Sequence, residues 1–75
     1  MRYISGWTVI ETENGKVVKF ATGDDRAGGV WHNFDSKENK EWLFECIHKL
    51  SWRDYLLFKK DVGSKFIDWI EREVS

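Results

Sequence analysis

The chain has 75 residues, with twelve Lys and Arg against thirteen Asp and Glu for a net charge of −1, no proline, one cysteine, and five Trp, five Phe and two Tyr. A chain this short buries roughly 60% of the surface its unfolded form exposes, which leaves room for one core and a single domain over residues 1–75. The interleaved charge lacks the basic excess of most nucleic-acid binders, the lone Cys46 excludes an internal disulfide, and the opening Met-Arg-Tyr-Ile-Ser-Gly lacks the apolar run of a signal peptide or membrane span, so a cytoplasmic protein without membrane attachment is expected.

From Tyr3 to Thr22 the pattern reads as a β-hairpin. Runs at Trp7–Glu11 and Val17–Ala21 flank Glu13-Asn14-Gly15-Lys16, and Asn-Gly suits a two-residue type I′ turn because both central positions need positive φ. Pairing outward from that turn sets Glu13 opposite Lys16, Glu11 opposite Val18, Val9 opposite Phe20 and Trp7 opposite Thr22, and this face is expected to carry the core. Thr8, Ile10, Thr12, Val17, Lys19 and Ala21 fall on the other face. Residues 23–29, rich in Gly and Asp, break the alternation and read as a turn or mobile loop. The run Val30-Trp31-His32-Asn33-Phe34 reads as a third strand, with Trp31 facing away from Val30, His32 and Phe34.

Helical spacing follows. Asp35 with Glu38 resembles a capping box, and Leu43, Cys46, Ile47 and Leu50 form one apolar stripe, so a helix is expected from just after Asp35 to about Leu50. Ser51 with Asp54 repeats the capping pattern and starts a second helix at Trp52. Tyr55, Phe58, Val62, Phe66, Trp69, Ile70 and Val74 recur on one face nearly to the end of the chain. Gly63 weakens that helix by about 1 kcal/mol relative to Ala. The spacings Asp61 to Lys65 and Asp68 to Arg72 suit a continuous helix, and a break near Gly63 with Ser64 capping a third helix is the alternative. The fold class is therefore α+β: an N-terminal antiparallel hairpin, three strands in all, packed against two C-terminal helices, the last of them either continuous or broken near Gly63.

Chemistry-bearing residues are few. The 23–29 segment lacks the Gly-Lys-Ser or Gly-Lys-Thr of a phosphate loop, and Asp24 and Asp25 would repel an anion, so Asp24, Asp25 and Arg26 read instead as a contact element for a protein partner. His32, Cys46 and His48 are too few and too divergent for a zinc site, since Cys46 and His48 lie two apart on a helix. Neither Cys46 with His32 nor Asp24 with Asp25 forms a recognisable catalytic motif, and a non-enzymatic protein with no metal, cofactor or small-molecule substrate is expected.

The aromatic residues carry the functional expectation. Trp7, Phe20, Phe58, Phe66 and Trp69 fall on the interior stripes, whereas Trp31, Trp42, Phe44 and Leu57 do not. Those four side chains, with Asp24, Asp25 and Arg26, are the expected contact residues of a module that binds a protein partner or itself, as an adaptor, an inhibitor or a homodimer. The alternative is a nucleic-acid-binding module with Tyr3, Lys19 and Trp31 on the sheet face and Lys59, Lys60 and Lys65 on the last helix, where Arg53 adds to a local basic patch. The balanced charge favours the first reading.

Overall fold

Two tight turns at the start of the chain build the sheet. The structure, a computed structural model, describes residues 1–35 and 38–74; the expected helix start over residues 36 and 37, and the side chain of Val74, lie outside the described residues. Strand β1 (Arg2–Ser5) pairs with β2 (Thr8–Glu13) through the two-residue link Gly6-Trp7, and Gly6 at φ 59° takes the position glycine holds in a type II′ turn. Strand β3 (Lys16–Ala21) follows across Asn14-Gly15, whose φ values of 54° and 75° fit the expected type I′ turn. A short β4 (His32–Asn33) completes an antiparallel sheet in the order β1-β2-β3-β4. Among the described residues the sheet thus has four strands rather than three, because Arg2–Ser5, ahead of the Gly6-Trp7 turn, forms a further strand paired with β2.

The expected pairing holds only beside the turn. Glu13 pairs with Lys16 and Thr12 with Val17, but Glu11 then pairs with Lys19, Ile10 with Phe20 and Val9 with Ala21. Val18 is the extra residue of a β-bulge, and a one-residue offset exchanges the two faces beyond it. The core lies on the face that the expected pairing assigned to the outside. Thr12 and Val17 face it ahead of the bulge, Tyr3 and Ile10 lie on the same side, and the offset brings Phe20 there too, while the predicted Trp7 and Glu11 stay out of it. Trp7 sits in the first turn and is 66% exposed.

Between β3 and β4 the expected loop contains one helical turn, α1 (Asp24–Ala27). Helix α2 (Lys40–Lys49) starts later than Asp35, with Asn39 at its N-cap position; Asp35 instead accepts a bond from the Glu38 amide at 3.4 Å in the preceding turn. Helix α3 (Trp52–Val62) starts as predicted, with the Ser51 hydroxyl accepting from the Asp54 amide at 3.2 Å. It stops at Gly63, whose φ of 92° and ψ of 149° are open essentially to glycine alone, and α4 (Ser64–Val74) begins at once. The break corrects the single long stripe: restarting the helix shifts its phase, so Ile67 and Ile70 are buried while Phe66 and Trp69 pack only partly against the core.

Helices α2 and α3 lie on one face of the sheet, and α4 packs on both helices. The core joins Tyr3, Ile10, Val17 and Phe20 of the sheet to the predicted stripe Leu43, Cys46, Ile47 and Leu50, and to Phe58, Ile67 and Ile70. No helix among the described residues is long and apolar enough to cross a membrane. Replacing Gly63 by Ala is expected to lower the unfolding free energy by about 1–3 kcal/mol, read from the urea midpoint, because a Cβ meets no clash there and only the backbone conformation is penalised.

Candidate functional site

Helix α3 is fastened to the sheet at both ends by its own acids. At its start the Ser5 hydroxyl donates to Asp54 Oδ2 at 2.6 Å and accepts from the Ser51 amide at 2.9 Å. Two turns later Asp61 Oδ2 accepts from the Tyr3 hydroxyl at 2.6 Å and from the Thr12 hydroxyl at 2.5 Å. Tyr3 and Ser5 are two apart on a strand, and Asp54 and Asp61 seven apart on a helix, so each pair projects from one face. The two donated bonds hold the Asp61 carboxyl below the usual carboxylate range. Burial, then the bond to Asp61 and its charge, push the Tyr3 phenol up to about 12.

This fixes what α3 shows to solvent. With both of its acids engaged by β1 and β2, the outward face carries Trp52, Arg53, Leu56, Leu57 and Lys60. Between it and the end of α2 lies a groove of about 380 Å³, walled by Ile47, His48 and Leu50 on one side and by Trp52, Tyr55, Leu56 and Lys59 on the other. Trp52 is 73% exposed, yet its ring stacks on Tyr55 with centroids 5.7 Å apart and planes 20° from parallel. The large apolar surface at the mouth is therefore held in place by a ring beneath it.

The expected contact residues divide among three regions. Leu57 is exposed on the outward side of α3, as its phase predicts, and is not among the side chains that wall the groove. Phe44 is not surplus: it packs partly against the core, with its ring 4.3 Å from that of His48 on the groove wall. Trp42 is half exposed and rests on the other side of α2, 4.8 Å from the His32 ring. Trp31 lies on the outer face of the sheet, with Lys19 Nζ 4.8 Å and the Arg2 guanidinium 5.8 Å from its ring. Glu11 is 3.4 Å from Arg2 and 3.7 Å from Lys19, so both cations over Trp31 are already paired. The contacts thus form no single patch.

Tyr3 needs a correction. At 3% exposure, edge-on to Phe58 and bonded to Asp61, it is a core residue and offers no ring to a nucleic-acid base. In α1, Asp25 bonds His32 Nε2 at 2.6 Å and Arg26 bonds the Gly6 carbonyl, which leaves Asp24 exposed beside Trp7. Lys60 and Lys65 are exposed and Lys59 half-buried, but Lys65 belongs to α4, past the break.

Cys46, His32 and Asp25 line one small cavity of about 150 Å³ together with Trp42 and Glu45. The Cys46 side chain is fully buried, and burial pushes its thiol up to about 11, so it stays protonated at neutral pH and lacks the thiolate a nucleophile needs. Among the described residues no three His, Cys, Asp or Glu side chains are grouped to hold a metal ion.

Sequence reasoning missed Trp52, read only as the first residue of its helix. Projected at 100° per residue, Trp52 stands about 120° around the helix from Phe58, off the buried stripe, and that is a signal the sequence carries. Compared with known proteins, the chain matches no family model, no curated protein and no solved structure.

The clamp predicts a pH profile. Asp61, with its lowered value, contributes fully above the ordinary Asp range near pH 4, and that contribution is lost as pH falls below it. Tyr3, raised to about 12, contributes fully below pH 10, and the contribution is lost as pH climbs from there toward 12. Asp61→Asn is expected to cost about 1.5–3 kcal/mol at neutral pH and to flatten the acid limb, as measured by urea midpoints across pH. An unchanged acid limb would mean that Asp61 does not hold α3 in place.

Proposed function

We propose that this chain is a small, non-enzymatic, cytoplasmic module that acts by protein–protein contact, as an adaptor, an inhibitor or a homodimer. Its contact surface is the outward face of α3 and the groove shared with α2. The observation that carries this is Trp52, exposed by three quarters and stacked on Tyr55 at the mouth of an apolar groove. Exposing a large ring costs a protein solubility, and holding it immobile removes the entropy that a partner would otherwise lose when it docks. Tryptophan is also among the residues that dominate binding energy when buried in an interface. Leu56 and Leu57 extend the same surface, and Asp24 with Trp7 forms a second, smaller exposed region.

A nucleic-acid-binding role is the second reading, supported by Lys19 and Arg2 over the Trp31 ring and by Lys59, Lys60 and Lys65. The pairing of Arg2 and Lys19 with Glu11 and the burial of Tyr3 weaken it. Salt-sensitive retention on single-stranded DNA would favour it.

Trp52→Ala is expected to weaken partner binding by about 2 kcal/mol or more, roughly thirtyfold, while leaving the fold intact, because the side chain is exposed in the free protein. Affinity capture with the parent chain and with Trp52→Ala, alongside light scattering for self-association, checks this. Identical captured proteins and identical particle mass for the two chains would overturn the proposal.

A further inference from the structure

The charged side chains that α3 turns away from the sheet are all basic. Some cations elsewhere are paired: Arg2 and Lys19 meet Glu11, and Lys40 meets Glu73 at 3.1 Å. On α3 the reverse holds. Its acids, Asp54 and Asp61, are bonded to Ser5 and to Tyr3 and Thr12, while Arg53, Lys59 and Lys60 pair with no carboxylate among the described residues. None of the described side chains walling the groove is acidic, and its polar members are His48, Lys59 and the Tyr55 hydroxyl. A chain with net charge −1 thus presents an apolar groove whose charged wall residue is Lys59, with Arg53 and Lys60 exposed on the same helix.

We infer that the occupant of this groove is an acidic, amphipathic peptide segment of a partner protein. It inserts aliphatic or aromatic side chains between Leu50, Trp52 and Leu56 and lays its carboxylates toward Lys59, His48 and Arg53. The inference rests on the partner-binding reading above and adds the partner's chemistry. An apolar segment alone would leave the cations unmatched, and a basic one would meet like charge on the rim. The aliphatic walls of Ile47, Leu50 and Leu56 favour side chains over nucleotide bases, since bases gain from flat aromatic faces and one face of Trp52 is already taken by Tyr55. A short helix lying along a groove is the recognition mode these dimensions suit.

A displayed library of random 16-residue peptides, selected on the full chain and counter-selected on Leu56→Glu, reads the chemistry directly. The expected result is enrichment of peptides that combine excess Asp and Glu with Leu, Ile, Phe or Trp. A synthetic copy of one such peptide should shift the amide resonances of α3 and of the end of α2. Its affinity should fall about tenfold or more in Arg53→Glu/Lys59→Glu, survive in Lys59→Arg, and weaken with added salt. Far-UV circular dichroism confirms that each variant is folded. Enrichment of neutral or basic peptides at the same resonances would overturn the acidic class and leave the docking surface standing. No enrichment over Leu56→Glu would overturn both. Tighter binding of an oligothymidylate or of phosphatidylserine vesicles at those resonances would overturn the peptide assignment.

Discussion

Everything on the outer surface of α3 depends on two aspartates that do not reach it. Asp54 and Asp61 tie the helix to β1 and β2 through Ser5, Tyr3 and Thr12, and those bonds help set its rotation about its own axis. Hydrophobic burial orients α3 through Phe58, with Tyr55 and Val62 packed partly against the core on the same face, and the bonds at the two ends add direction to that packing. Once the rotation is set, the remaining side chains of α3 have no choice of environment: Trp52, Leu56 and Leu57 face water together with the lysines. The exposed ring is thus a by-product of where the acids are needed as well as a resource for binding.

Different physics made some of this legible in the sequence and hid the rest. Asn14-Gly15 and Ser51 are local signals, each satisfied within a few residues, and both turn and cap stand where they were read. The stripe Leu43, Cys46, Ile47 and Leu50 was legible because one uninterrupted helix preserves its phase. Val18 is hidden because a bulge has no compositional signature, and it moves the β3 residues beyond it to the other face; the choice of core face is separate, since Thr12 and Val17 ahead of the bulge already point inward. Gly63 marks the break in the sequence and Ile70 is buried as its stripe predicts, but burial of Ile67 and the partial exposure of Phe66 and Trp69 depend on the angle of the break, which comes from tertiary packing. The Gly6-Trp7 turn passed unnoticed for a related reason: glycine followed by a large ring does not announce a hairpin, and Trp7 was counted as core when it belonged to the bend.

The contact surface was only partly legible. Leu57 was identified by phase, and Phe44 was placed outside the core although its ring lies against His48 and partly into it. Trp31 and Trp42 are surface rings with other neighbours, one above paired cations and one against His32. Single-sequence periodicity says which side chains leave a stripe but not which of them meet, since that depends on how separate elements are rotated against each other.

Gly15 carries a consequence for the order in which the molecule assembles. A Cβ there would stand 3.2 Å from the Asp61 carbonyl, so the tip of the second hairpin lies close against the last turn of α3. The contact spans the chain from residue 15 to residue 61, and the clamp bonds beside it join residues 49 and 58 positions apart. Closing loops of that length costs entropy before any of these bonds forms, whereas the Asn14-Gly15 turn closes locally. The hairpin therefore forms a template early, and α3 acquires its final rotation late, in one cooperative step with the docking of the helical half on the sheet. The rotation that sets which side chains α3 turns to water is thus held by contacts that span most of the chain.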